Sequence, residues 1–244
     1  MVYLQFNGNY PAEGYWDQYI VKKLLNRDQV FVIPGAYQAT SLDAINQRLD
    51  IEDYGVVIIT SDEENNFPTE YISHPRMKVY TQYNNNGDKQ IPIGSPPNPP
   101  VKLEKNLDYM YAGQVNTVDR EQCADEIDKL KGFCLRSEGF SQGLDKDAYN
   151  EMMGHAKIVP CPGGHVSPDS FRLYEALEAG CTPVIHARHK EYFSFLGDFP
   201  FPMVNDWSEL GGIEYVDYSD WWKEYKKQLH DEVDEDLSWL QSQL

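Results

Sequence analysis

Short β-branched apolar runs alternate with amphipathic stretches along most of this chain, and one proline-rich segment interrupts the pattern. Residues 2–6, 29–34, 55–60 and 77–83 read as strands, with helices over 15–25 and 41–49 between them. Strand, helix, strand repeated in this way predicts parallel pairing, because parallel neighbours cannot be joined by a hairpin. Pro92, Pro96, Pro97, Pro99 and Pro100 then remove backbone donors and fix φ, which predicts a stiff, extended connector. Beyond it the alternation resumes, with strands over 109–113, 133–136, 157–161 and 182–186 and helices over 119–131, 146–153 and 168–179. Gly132 and Gly180 stand where helices should stop. Residues 218–244 carry Trp221, Trp222, Tyr225, Leu229, Val233, Leu237 and Leu240 at near-helical spacing. The expected architecture is α/β, with two Rossmann-like lobes: 1–91, a linker over 92–106, a second lobe over 107–217, and a terminal helix over 218–244 packing back across the lobes.

Composition narrows the function classes. With 41% hydrophobic and 25% charged residues among 244, the chain can bury a core and is not globally disordered. No apolar run approaches the roughly 20 residues a membrane span needs, and Met1 leads directly into a strand-like run; the expectation is a soluble, cytoplasmic protein with no membrane span. The net charge of −18 repels polyanions, which disfavours nucleic acid as a partner while leaving room for a local basic patch. Cys123, Cys134, Cys161 and Cys181 show no C-x-x-C spacing and read as buried thiols.

Residues 156–185 carry the chemistry. A strand ends in a turn containing Pro162, Gly163 and Gly164, and a helix is expected to open at Ser167 as N-cap with Pro168 in its first turn. Its free amides and dipole would favour an anion such as a diphosphate, with Ser170 and Arg172 adding a hydroxyl and a guanidinium. Glu175, further along and expected on an exposed flank, could accept hydrogen bonds from two vicinal ribose hydroxyls. An ordinary capped strand-loop-helix explains the same residues without a ligand.

This stretch resembles the donor-nucleotide motif of exostosin-like glycosyltransferases through Cys161, Pro162, Gly164, Asp169, Ser170, Arg172, Glu175, Ala176, Gly180, Cys181, Pro183, Val184 and Ile185. Upstream, Tyr111, Ala112, Gly113 and Arg120 fall in register with that family's strand and trailing arginine, as do Tyr149 and Lys157. The resemblance spans about residues 109–186. It implies a GT-B-like pair of lobes facing a cleft, a nucleoside-diphosphate sugar such as a UDP-sugar held by the C-terminal lobe, and transfer to a carbohydrate or other hydroxyl acceptor with inversion. The donor-side residues it implies are Arg120, Gly164, His165, Ser167, Ser170, Arg172 and Glu175. Gly163 departs from the family's arginine, so that phosphate contact would fall to Arg120, Arg136 or His165. Ser167 stands where a related retaining group carries its first glutamate, which favours inversion.

Direct displacement needs a base for the acceptor hydroxyl. Ligands in open α/β sheets sit beyond strand C-termini, which places Asp62, Glu63 and Glu64, after the buried run 55–60, as candidates. A solvated acidic loop is the alternative for each, and Asn7, Gly8 and Asn9 could line the acceptor side or form a turn. Asp145 with Asp147, and the acids of 233–236, do not follow buried strands as metal-bridging pairs would. His186 and His189 lack a third ligand nearby in sequence, so no metal and no cofactor are expected. Two other readings stay open: a transferase acting on hydroxylated DNA bases, and an inactive sugar-nucleotide-binding or lectin-like protein.

Overall fold

The computed structural model describes residues 2–3, 19–34, 54–60, 63, 76–139 and 142–244. It contains two compact α/β units, residues 1–97 with 224–244, and residues 98–223. Each is built on a five-stranded sheet whose neighbours all pair in parallel. No helix among the described residues is long and apolar enough to cross a membrane.

The first unit contains β1 (Val2–Tyr3), β2 (Val30–Pro34), β3 (Gly55–Thr60), β4 (Met77–Thr81) and β5 (Lys89–Gln90), in the order β1-β2-β3-β4-β5. Every residue of β3 is buried, as a strand covered on both faces requires. Each such Val or Ile contributes about 1.5–3 kcal/mol by burial. The helix expected over 41–49 lies outside the described residues, as do residues 15–18; the described part of the helix expected over 15–25 includes only a short 3-10 helix, Val21–Lys23.

The proline-rich segment starts as core rather than as a solvated linker. Ile91 and Ile93 are 0% and 2% exposed. Proline supplies no donor, so the segment's carbonyls need donors from elsewhere, and the buried Gln82 donates Nε2–H to the carbonyls of Pro92 and Ile93. The boundary between the units, between Pro97 and Asn98, falls inside the expected linker.

The second unit runs β6 (Leu107–Gln114), α1 (Val118–Lys129), β7 (Phe133–Ser137), α2 (Lys146–His155), β8 (Ala156–Pro160), α3 (Phe171–Glu178), β9 (Thr182–His186) and β10 (Met203–Val204). Its strand order is β10-β9-β8-β6-β7. Cys123, Ala124 and Ile127 of α1 pack with Tyr111, Ile158, Val184, Val204 and Trp207. Helix α3 ends in a Schellman motif: Gly180 takes φ 65°, its N–H donates to Leu177 and that of Cys181 to Ala176. The same pair of bonds closes α1, but the left-handed position is held by Lys131, with Gly132 one residue further on.

Helix α4 (Ser219–Ser242) begins among residues of the second unit, and from Glu224 onward it belongs to the first. There its acids act as anchors. Asp234 accepts from the Leu25 N–H at 3.1 Å, Asp236 from the Tyr80 hydroxyl at 2.7 Å, and Glu232 pairs with Lys89. The acids of 233–236 thus include fixed acceptors as well as surface charge.

Candidate functional site

The order of the second sheet creates the site. From β6 the chain moves to β7 on one side and then crosses back to β8 on the other, so connections leave the C-terminal ends of β6 and β8 in opposite directions. A crevice opens at such a reversal, and ligands of open α/β sheets bind there.

Arg172, in the first turn of α3, reaches into this crevice. Its Nη2 donates to the Ala112 carbonyl at 2.8 Å, and its guanidinium carbon lies 4.6 Å from the centre of the Tyr111 ring. A Cβ on Gly113 would collide with Nη2, so the glycine at the end of β6 is what admits the guanidinium. Nε is enclosed with no hydrogen-bond partner. Across the crevice, Arg120 in the first turn of α1 donates Nε–H to the Gly163 carbonyl at 2.9 Å and Nη1–H to Asn116 Oδ1 at 3.2 Å. Thr117 caps that helix by accepting from the Arg120 N–H. Two guanidiniums therefore converge on one sheet edge of an acidic chain.

The loop before α3 differs from the expected cap. Ser167 donates to the Tyr192 hydroxyl at 3.0 Å and accepts from the Asp169 N–H at 3.2 Å, which closes a turn instead of starting a helix. Helix α3 begins at Phe171 with Ser170 as N-cap, and the Ser170 side chain makes no capping bond. Of the first-turn amides, that of Leu173 already donates to the Ser170 carbonyl at 3.2 Å, which leaves the Ser170 hydroxyl as the uncommitted side-chain group at the helix start. Gly164 and His165 lie on the loop, the first partly exposed and the second exposed.

Glu175 is 8% exposed, not on an exposed flank. It accepts the Tyr149 hydroxyl at 2.9 Å, so α2 and α3 are joined by a buried carboxylate. Burial raises its pKa, against the hydrogen bond from Tyr149 and the nearby charge of Arg172. Arg136, on β7, forms ion pairs with Asp125 and Asp128 of α1.

Of the acids proposed as base, Asp62 and Glu64 lie outside the described residues, as do Asn7, Gly8 and Asn9; Glu63 is partly exposed in a turn shortly beyond β3. Asp145 caps α2 by accepting from the Ala148 N–H at 2.9 Å. No group of three or more His, Cys, Asp or Glu placed to hold a metal ion occurs among the described residues. All four cysteines are free, and Cys134 is partly exposed rather than buried. Burial pushes the Cys161 thiol up to about 12 and those of Cys134 and Cys181 up to about 11, so none is a thiolate at neutral pH.

His186 and His189, read in the sequence only as a failed metal pair, lie at the end of β9 beside this crevice. The spacing i, i+3 around Arg188 was the available signal. Compared with models of known protein families and with curated protein sequences, the chain finds no match.

Proposed function

We propose that the protein is a glycosyltransferase that holds a nucleoside-diphosphate sugar, such as a UDP-sugar, in the β6/β8 crevice and transfers the sugar to a hydroxyl acceptor with inversion and without a metal. The observation that carries this reading is Arg172. Its guanidinium is held across Ala112 and Tyr111, yet only one of its N–H groups has a protein acceptor among the described residues. A partly buried guanidinium that keeps N–H groups without a protein acceptor suits a bidentate anion such as a phosphate. Arg120 adds a second positive charge and the Ser170 hydroxyl a further donor, and the second carboxylate oxygen of Glu175 is left for a ribose hydroxyl.

In the reaction proposed, the acceptor oxygen attacks the anomeric carbon from the face opposite the diphosphate. The bond from that carbon to the phosphate oxygen breaks, and its electron pair leaves with the nucleoside diphosphate, whose charge the arginines stabilise. The acceptor proton passes to a carboxylate, for which Asp62, Glu63 and Glu64 remain the candidates. The GT-B-like pairing of the two units around a cleft belongs to the same proposal and follows from the resemblance to exostosin-like enzymes. Incubation with a panel of nucleotide sugars tests it. Release of nucleoside diphosphate from one of them, abolished in Arg172→Ala, is expected; no release and no binding across the panel would refute it.

A further inference from the structure

We propose that His186 and His189 form a second anion subsite beside the crevice, which grips the terminal phosphate of a nucleoside diphosphate with imidazole N–H groups. This deepens the nucleotide-sugar reading and rests on it. The two rings sit on a hydrogen-bonded frame. Arg188 Nη2 pairs with Asp119 Oδ1 at 2.6 Å, and the same carboxylate oxygen accepts Trp207 Nε1–H at 2.8 Å. So anchored, Arg188 donates Nε–H to His189 Nε2 at 3.1 Å and its backbone N–H to His186 Nδ1 at 3.3 Å.

These bonds fix both tautomers. A nitrogen that accepts carries no proton in the neutral ring, so His189 carries its proton on Nδ1 and His186 on Nε2. Neither of these donor nitrogens has a hydrogen-bond partner among the described residues, and both side chains are partly exposed. The His186 ring is held edge-on to Trp207, with ring centres 5.8 Å apart. The subsite adjoins the phosphate loop. A Cβ on Gly163 would lie 3.4 Å from His189 Nε2, and the Gly163 carbonyl is the acceptor of Arg120.

The frame also sets the charge. Burial holds both imidazoles below the ordinary histidine range, and the Arg188 guanidinium adds to this. Asp119 opposes it at both rings; Asp206 and Glu209 oppose it at His186, whereas His186 adds to it at His189. An incoming phosphate supplies the missing negative charge and favours the protonated rings. As the sugar–phosphate bond breaks, the growing charge on the diphosphate would be met by the two imidazole donors, His186 Nε2–H and His189 Nδ1–H.

The test follows the imidazole resonances of the whole chain against pH, alone, with inorganic pyrophosphate, and with UDP. His186→Asn and His189→Gln assign the signals; each keeps an oxygen acceptor for Arg188. The pKa values of His186 and His189 are expected to rise by about one unit on ligand addition, a tenfold tighter hold on the protonated ring, while that of His230 stays put. If UDP binds and Arg172→Lys weakens it while both imidazoles titrate unchanged, the subsite is refuted and the nucleotide reading stands. If pyrophosphate moves both imidazoles but UDP binds no more tightly than pyrophosphate, the subsite stands and the nucleotide reading fails. Absence of binding by either ligand overturns both.

Discussion

The two sheets have the same number of strands and the same parallel pairing, yet only one of them generates a site by its topology. In the first unit the strand order follows the chain from β1 to β5, so each connection steps the same way. In the second the order reverses at β6, and the reversal leaves the crevice into which Arg172 and Arg120 project. A sheet wound in both directions supplies a pocket through its strand order; one wound in a single direction must supply chemistry through its loops. The proposed division of labour has the same asymmetry, with the donor on the second unit and the base on a loop after β3 of the first.

The largest expected effect tests the loop side. Asp62→Asn, Glu63→Gln or Glu64→Gln, whichever replaces the base, should cut turnover by roughly 10²–10⁴ while donor affinity barely changes. Steady-state kinetics with calorimetry measures both quantities. Turnover within a few-fold of wild type in all three variants would move the base elsewhere, with Asp17 or Asp43 next to replace.

The crevice itself is broken by Gly113→Ala. The added methyl group must push the Arg172 guanidinium away from Ala112, so nucleotide affinity should drop by about 1.5–3 kcal/mol, the scale of hydrogen bonds to a charged group. Equal affinity in a folded variant would show that Arg172 does not touch the ligand.

Glu175→Gln separates binding from folding, with a smaller effect. The native carboxyl titrates above its ordinary value of about 4.5, so the unfolded chain releases this proton first. Stability from this group is therefore lost as pH rises from that value through the raised native pKa. The glutamine variant, still able to accept from Tyr149, should lack this loss and melt no lower than wild type at neutral pH, while its nucleotide affinity falls. Melting curves across that window, with calorimetry, check both. The smallest expected effect is none at all: turnover should survive EDTA, and activity lost to the chelator and restored by manganese or magnesium would overturn the metal-free mechanism.

What the sequence could reveal depended on how local the cause was. The buried run 55–60 and the strand 182–186 are legible because apolar β-branched residues crowd together between turn signals, and they coincide with β3 and β9. Strands β5 and β10, of two residues each, carry too few side chains to form a pattern. The start of α3 was misplaced because Ser167 looks like a cap, whereas its hydroxyl is bound to Tyr192, 25 residues away. Sequence spacing alone puts Glu175 on an exposed flank because its hydrogen-bond partner in the interior, Tyr149, comes from another helix. The orientation of His186 and His189 likewise depends on Asp119, far upstream in the chain.

The most direct test of the central claim is a map of backbone amide shifts on titration with UDP. A nucleotide in the crevice predicts saturable shifts clustered at Ala112, Gly113 and Arg120, along the loop from Cys161 through Ser170 to Arg172, and at the end of β9, with β1 to β5 of the first unit unmoved. Shifts confined to the first unit, or none at saturating UDP, would contradict it.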